Sequence, residues 1–257
     1  MVGHSEVGHR RHPRKAAAAV GLPLVSACRG CAFCTLVAMF IGHIAVGLAA
    51  EGVAPKTSLG LLVAAPLAAD LLWSILVLAG VERVRIDPGN TAFTPLAFAY
   101  YPWTHSLLMS LVLSALAGAA YWLWRHYRAG ALVIAAGVLS HWVLDAISHR
   151  PDMPLYPGGS TMVGLGLWNS FPATLVVECA MFAAGVWLYA SVTKSRDRAG
   201  SYGLWAFVAF LLVVYAMNAF GPPPPSVRAI GFAGLALWLL PLWAWWFDAH
   251  RTCSCPE

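Results

Sequence analysis

Seven apolar stretches of about 20 residues recur along the chain, each bounded by charged residues, proline or glycine. An apolar helix of about 20 residues is long enough to cross the hydrocarbon core of a bilayer. The predicted fold is therefore an all-α, polytopic membrane helix bundle with about seven transmembrane helices. These lie at residues 31–50, 57–80, 104–125, 129–149, 170–193, 202–220 and 229–248.

The composition agrees with a membrane setting. Of the 257 residues, 60% are hydrophobic and only 11% are charged, whereas a soluble domain carries about 25% charged residues. This excludes an ordinary soluble enzyme and a disordered chain, because both need more charge. The 12 Trp residues suit two lipid–water interfaces. The net charge of +5 reflects charges at membrane boundaries, so no nucleic-acid partner is expected.

A single transmembrane domain is predicted at 31–248. It follows a polar and Ala-rich extension at 1–30 that we expect to be poorly ordered, and it precedes a short tail at 249–257.

The loops at 81–103 and 150–169 are longer than turns require, and they share one membrane side because two spans separate them. Such loops either build the entrance to a site or only connect helices. Without the N-terminal tail, four basic residues lie on this side and seven on the other, which places the loops outside the cytoplasm. Counting the basic residues of the tail reverses that balance.

Ionisable side chains are rare inside the predicted spans and concentrate in the first five. Each costs about 2.5–3.5 kcal/mol in hydrocarbon on insertion scales, so each needs a reason to be there. No Lys or Arg lies in a predicted helix core to neutralise the carboxylates, which must be protonated or meet a cation or an imidazolium. Taken singly, each could also be a core polar residue with satisfied hydrogen bonds. The set is His43, Asp70, His105, His141, Asp145, His149 and Glu178.

The fourth span places His141, Asp145 and His149 on one helical face, because a spacing of four residues turns about 40° per step. Adjacent members rise about 6 Å, so two of them can bind one ion. His141 and Asp145 are predicted to bind the metal, with His149 nearer the mouth of the site. A hydrogen-bonded ladder or a proton relay is the alternative explanation of this spacing.

Three histidines and two carboxylates without a basic partner are the side chains that a divalent cation requires. Mixed imidazole and carboxylate ligands suit Zn²⁺ best, with Fe²⁺ or Mn²⁺ as alternatives. Glu178 is a candidate base beside the site, or else a buried protonated carboxyl group. The predicted metal ligands are His43, Asp70, His105, His141 and Asp145.

These motifs resemble a bacterial inner-membrane family assigned as metal-dependent hydrolases, also described as LexA-binding, inner-membrane-associated hydrolases. The resemblance covers roughly residues 39–160. It implies a metal site in a membrane-embedded hydrolase and a location in the bacterial inner membrane. The motifs that carry it are Gly42-His43, Asp70, Thr104-His105-Ser106-Leu107-Leu108 and Ser140-His141 through Asp145.

Two motifs depart from the family pattern. Only one aspartate stands at the second motif, where Leu71 and Leu72 follow it. Tyr101-Pro102-Trp103 replaces the family's His-Arg-Gly. Fewer ligands remain, which indicates either one metal ion or a site that no longer hydrolyses a substrate.

The first functional hypothesis is a membrane-embedded metal-dependent hydrolase. A bound metal lowers the pKa of its water toward about 7 and polarises the scissile group. Asp70 or Glu178 would accept the proton, while Ser106 and His149 would bind a substrate oxygen or the leaving group. A site that opens from mid-membrane at the 81–103 loop suits an amphiphile, so the expected substrate is a lipid-like ester, amide or phosphoester.

The alternative hypothesis is a transporter that moves a metal ion or protons through the bilayer with the same cluster. It predicts polar groups that continue to the opposite face. In the sequence, the polar set is confined to one half and no inverted repeat is visible. A third hypothesis is a non-catalytic membrane adaptor with remnant ligands.

Overall fold

The structure, a computed structural model, describes residues 40–254 together with Met1 and Gly3. Most of the predicted N-terminal extension and the first part of the first span, 31–39, lie outside the described residues. The helices are α1 (Phe40–Ala49), α2 (Leu59–Leu78), α3 (Pro102–His105), α4 (Leu107–Arg125), α5 (Arg128–Ser148), α6 (Phe171–Val192), α7 (Arg198–Phe220), α8 (Val227–Ala236) and α9 (Leu239–Asp248).

Six spans in the described part of the chain are long and apolar enough to cross a membrane. They are α2, α4, α5, α6, α7 and the pair α8–α9, and the shorter apolar helix Ile41–Gly52 accompanies them. Pro241 lacks the N–H that would continue the helical hydrogen bonds, which explains why the last span is divided. The prediction of an all-α membrane bundle with about seven spans is confirmed.

The outer surface of the bundle is apolar, as an integral membrane protein requires. Large side chains such as Leu132, Trp187 and Trp124 are 71%, 68% and 66% exposed. In a soluble protein such a surface would drive aggregation, whereas in a bilayer it faces lipid tails.

Helix α2 is the centre of the bundle. It packs against α1, α5, α8 and α9, and 61% of its apolar window is buried, against 22–39% for the other long spans. An ionisable residue in the middle of α2, Asp70, therefore faces protein rather than lipid and is 3% exposed.

Two glycines allow α1 to pack closely between α2 and α6. A Cβ atom at Gly47 would lie 2.6 Å from the carbonyl oxygen of Leu62, and one at Gly185 would lie 2.6 Å from that of Ala45. Both contacts are with backbone, so no side-chain rotation could relieve them. Glycine at these positions sets the depth at which α1 carries His43 into the bundle.

The two long loops form antiparallel hairpins that the sequence did not predict. Strand β1 (Arg83–Ile86) pairs with β2 (Leu96–Tyr100), and β3 (Met153–Pro154) pairs with β4 (Met162–Val163). The loops touch, because the Phe93 N–H donates to the Trp168 carbonyl oxygen at 3.1 Å. Both loops thus lie on one side of the bundle, as predicted, and we call this the loop side.

The opposite side is closed by a third antiparallel pair. Strand β5 (Thr193–Ser195), which follows α6, pairs with β6 (Arg251–Cys253), which follows α9. The buried guanidinium of Arg251 donates to the Thr193 hydroxyl at 3.0 Å and to the Gly200 carbonyl at 2.9 Å. This pair ties the last span to α6 and α7.

Replacing Gly185 by valine is expected to lower the free energy of unfolding by about 1–3 kcal/mol, because the added methyl groups force α1 away from α6. Ala184 is exposed on the same helix, so Ala184→Val should change stability by less than about 0.5 kcal/mol. Thermal unfolding of both purified variants in detergent makes the comparison. Equal melting temperatures would contradict close α1–α6 packing.

Candidate metal centre

Four helical segments bring six ionisable side chains into one buried cluster. His43 comes from α1, Asp70 from α2, His105 from α3, and His141 and Asp145 from α5. The sixth, His149, caps the end of α5. None of these residues is more than 4% exposed.

Asp145 is the hub of the cluster. Its Oδ1 lies 3.2 Å from His43 Nε2, and its Oδ2 lies 3.1 Å from His141 Nε2. The same Oδ2 is 3.6 Å from His105 Nε2 and 3.9 Å from His149 Nε2. One carboxylate thus faces four imidazoles. The spacing of four residues between His141 and Asp145 brings their side chains into direct contact, at 3.1 Å.

Asp70 lies across the cluster from Asp145. Its Oδ1 is 3.6 Å from His105 Nε2 and 4.0 Å from His141 Nε2. Its Oδ2 is buried and has no hydrogen-bond partner among the described residues. Every ion pair of the two aspartates in the described chain is with histidine, so no lysine or arginine neutralises them there.

The tautomer of His141 follows from its partner on α2. His141 Nδ1 is 2.8 Å from the Pro66 carbonyl oxygen. Because a carbonyl oxygen only accepts hydrogen bonds, Nδ1 carries the proton. In the neutral ring the lone pair of Nε2 therefore points into the cluster, as in a metal-binding histidine.

The tautomer of His105 is set by a chain of hydrogen bonds that the sequence did not reveal. The Thr104 hydroxyl donates to Glu82 Oε2 at 2.6 Å. It therefore accepts from His105 Nδ1, also at 2.6 Å. Glu82 Oε1 further accepts the backbone N–H groups of Trp103 and Thr104, at 2.8 and 3.0 Å. His105 Nε2 is thereby left bare and directed into the cluster.

The resulting arrangement can be stabilised by a metal ion or by a proton. The Nε2 atoms of His105 and His141 lie 3.2 Å apart, and both neutral rings present lone pairs to each other and to Asp145 Oδ2. Acceptors at such distances repel one another unless a metal ion or a proton lies between them. A tetrahedral zinc site with bonds of about 2.0–2.1 Å separates its ligand atoms by about 3.3–3.4 Å, close to the spacings observed here.

Two overlapping sets of three residues can hold a metal ion, with one ligand atom from each within 4.8 Å of the others. One set is His43, His141 and Asp145, and the other is Asp70, His105 and His141. His141 belongs to both sets, and its Nε2 has a single lone pair for one ion. The structure thus brings all five predicted ligands together. Because both sets share His141, only one of them can bind an ion through this residue at a time.

His43 is held differently from the other ligands. Its ring stacks on His141, with ring centroids 4.2 Å apart and planes inclined by 27°. Its Nδ1 is buried without a hydrogen-bond partner in the described residues. Stacking on His141 and the contact of Nε2 with Asp145 Oδ1 at 3.2 Å therefore orient this ring, whereas the Nδ1 atoms of His105 and His141 are also held by hydrogen bonds.

His149 lies between the cluster and the loop side. Its Nδ1 is 3.0 Å from Asp152 Oδ1, which also accepts the Tyr101 hydroxyl at 3.2 Å. Burial, and then the Asp152 charge, raise the pKa of Tyr101 well above its ordinary value, which keeps this hydroxyl a donor. Tyr101 and Asp152 line a cavity of about 300 Å³ between the two loops. His149 thus lies beside Asp145 on the side of the cluster that faces Asp152 and Tyr101, and its role at the mouth of a site stays a prediction.

Two other predicted site residues lie in different surroundings. Ser106 is fully buried and its Oγ accepts the Met109 N–H at 3.3 Å, so it caps the N-terminus of α4. Glu178 is fully buried on α6, and neither of its oxygens has a hydrogen-bond partner among the described residues. Glu178 belongs to neither of the two metal-binding sets.

Loss of His141 is expected to abolish metal binding, because this residue serves both ligand sets. Wild-type protein loaded with Zn²⁺ and freed of excess metal should retain about one equivalent, and His141→Ala should retain almost none. His250→Ala changes a histidine that pairs with Asp197 far along the chain and is the matched control. Elemental analysis measures the metal, and a metal-free wild type would refute the centre.

Thr104→Val is expected to weaken metal binding about 10–100-fold, because His105 loses the group that fixes its tautomer. Thr104→Ser keeps the hydroxyl and should restore most of the affinity. Competition with a metal-binding dye measures both dissociation constants. Equal affinities for the two variants would show that the Glu82–Thr104–His105 chain does not position the ligand.

Comparison of the chain with protein-family models, curated proteins and solved structures finds no match in any of the three. The resemblance to the inner-membrane hydrolase family therefore stays a prediction. What can be concluded is that the chain is a helical membrane protein with buried histidine and aspartate groups able to hold a metal ion.

Proposed function

We propose that the chain is a membrane-embedded, metal-dependent hydrolase that acts on a lipid-like ester, amide or phosphoester. The observation that carries the proposal is the convergence of two bare imidazole nitrogens, 3.2 Å apart, with the carboxylates of Asp70 and Asp145. The family resemblance in the sequence points the same way, and with it to the bacterial inner membrane.

The proposed ligands of the ion are His43, Asp70, His105, His141 and Asp145. Nitrogen and carboxylate ligands favour Zn²⁺, with Fe²⁺ or Mn²⁺ as alternatives. When bound, a divalent ion supplies an activated water near neutral pH and polarises the scissile oxygen. The chain supplies rigid ligands, because Pro66 and Thr104 fix two imidazoles before any ion binds.

Asp70 is the candidate base. Its Oδ1 faces His105 and His141, whereas its buried Oδ2 has no partner among the described residues. This second oxygen is free to take a proton from the attacking water. Ser106 takes no part in this scheme, because its hydroxyl caps α4.

His149 is the candidate for binding the substrate oxygen or the leaving group. It lies between Asp145 and the cavity of the loop side, at 3.9 Å from Asp145 Oδ2 and 3.0 Å from Asp152 Oδ1. Asp152 and Tyr101 hold the ring from the side of the cavity. A substrate that descends from the loop side meets His149 before it meets the ligands.

The depth of the cluster favours an amphiphilic substrate. Asp70 precedes the loop-side end of α2, at Leu78, by eight residues, which corresponds to about 12 Å at 1.5 Å per residue. Such a depth lies below the polar headgroups of a bilayer of about 30 Å hydrocarbon thickness. A bond at this depth is accessible to a lipid-like molecule whose head remains at the loop side.

The transporter alternative requires a polar route to the opposite side. Below the cluster, the cleft between α2, α4 and α5 is lined by alanine, leucine, isoleucine, valine, tyrosine and tryptophan. No acidic or basic side chain belongs to this lining. An ion leaving the cluster in this direction would enter an apolar cleft, which favours an enclosed site.

Zn²⁺-loaded protein in nanodiscs is expected to release product from at least one member of a panel of phospholipids, lysophospholipids and N-acyl amides, as measured by mass spectrometry. Chelation should abolish the release and Zn²⁺ should restore it. Asp70→Asn should lose activity by about 10²-fold or more, because it removes the base.

The matched control is Asp87→Asn, in the exposed β1–β2 turn, which should keep wild-type activity. Zn²⁺ uptake into proteoliposomes is measured on the same preparation. Uptake that depends on Asp145, together with no product from any lipid, would replace the hydrolase by the transporter.

A further inference from the structure

A groove of about 470 Å³ opens between α2 and α4 on the surface of the bundle. Helix α5 forms its floor through the buried side chains of Ile134 and Val138. Its walls are mostly small, so we call it the alanine groove. Its lining is Leu61, Ala64, Ala65, Ala68, Ala117, Ala120, Tyr121, Trp124, Ile134 and Val138.

The floor of the alanine groove and two of the predicted metal ligands lie on the same face of α5. On α5, Ile134, Val138, His141 and Asp145 follow one another at spacings of three or four residues, so they share one face. Val138 precedes His141 by one turn, about 4.5 Å along the axis. The floor of the groove therefore continues directly into the metal ligands.

The α4 wall shows the same continuity, whereas the α2 wall does not. On α2, Asp70 lies two residues beyond Ala68 and therefore about 200° around the helix, on the opposite face. On α4, Ala117 shares a face with the buried Ser110 and Ser114, which lead back to the end that adjoins His105. Along α4, serine side chains lie toward the end that adjoins His105, and small alanines leave the groove open toward the other end.

The lining specifies the chemical class of the occupant. It offers methyl groups and the faces of Tyr121 and Trp124, and it carries no charged side chain. Between the levels of Leu61 and Ala68 it extends about 10 Å along α2. A slender apolar chain fits such a groove, whereas a bulky or charged group does not.

We infer that the alanine groove binds an alkyl chain of the substrate and so places the substrate's polar end at the metal centre. This inference rests on the proposed hydrolase function and identifies the substrate as one with a long alkyl chain. The head of the molecule lies toward the loop side, and its chain runs toward Trp124 at the other end of α4.

Two neighbouring alanines on α4 make the test. Ala120 and Ala119 are both exposed, but only Ala120 lines the groove. Ala120→Phe fills the groove, and Ala119→Phe adds the same ring outside it. Both variants should bind Zn²⁺ as the wild type does.

The first measurement does not depend on catalysis. A fatty acid with a terminal diazirine is photolysed with the purified protein, and the labelled peptides are mapped. Labelling of the groove should increase with Zn²⁺, since the metal holds the carboxylate head, and Ala120→Phe should lower it about tenfold. Ala119→Phe should label like the wild type, and His141→Ala should lose the Zn²⁺ dependence. Equal labelling of Ala119→Phe and Ala120→Phe would overturn the inference, as would labelling that is insensitive to Zn²⁺.

The second measurement compares hydrolysis of p-nitrophenyl acetate and p-nitrophenyl laurate. Ala120→Phe should reduce kcat/KM for the laurate about tenfold and leave the acetate unchanged. Equal effects on the two esters would show that the groove does not receive the substrate. If the wild type hydrolyses neither ester nor any lipid of the panel, the proposed function fails, and the photolabelling still decides whether an alkyl chain occupies the groove with its head at the metal.

Discussion

Two carboxylates buried in an apolar bundle, with only histidines beside them, determine how the rest of the structure is arranged. Isolated carboxylates at this depth are costly, and the described chain places no lysine or arginine against Asp70 or Asp145. Histidines from three helical segments surround them instead. Because their nitrogens can face one another as acceptors, a cation bound among them would stabilise the folded bundle as well as the site. In the proposed metal-loaded state, metal binding and helix packing would therefore be thermodynamically linked.

The central helix α2 contributes both to the packing of the bundle and to the geometry of the cluster. It carries Asp70 into the cluster, and the carbonyl group of Pro66, one turn earlier, orients His141 on α5. On the loop side, Glu82 beyond the end of α2 orients His105 through Thr104. One helix with its following residues thus positions ligands on two other segments. Packing of α1, α5, α8 and α9 around α2 makes it the most buried of the long spans, and its carboxylate faces that protein interior.

Features that depend on local sequence could be predicted, and features that depend on distant contacts could not. Hydrophobic runs located the spans, and a spacing of four residues placed His141 beside Asp145, since both follow from the geometry of a single helix. Glu82 resembled an ordinary charge at a membrane boundary, because its partner Thr104 lies 22 residues further on, after a hairpin without a clear pattern.

The surroundings of Ser106 and Glu178 show the same limit. The sequence did not reveal that a short α3 ends before Ser106 and that this residue caps α4, and its binding of substrate stays a prediction. Glu82 accepts the N–H groups at the start of α3 from 21 and 22 residues away, a contact that no local pattern records. Glu178 is buried, as expected for an ionisable residue within a membrane span. Helical periodicity alone could not predict that it would belong to neither ligand set.

The close packing of α1 has a consequence for the order in which the protein is made. His43 is synthesised before every other ligand of the cluster, but α1 fits against Gly185 of α6, more than 100 residues later in the chain. During synthesis, the ligands up to Asp145 enter the membrane before the helix that holds α1 in place has been translated. The nascent cluster therefore has all of its side chains before it has its final geometry, because the packing of α1 must wait for the insertion of α6, the fourth long span.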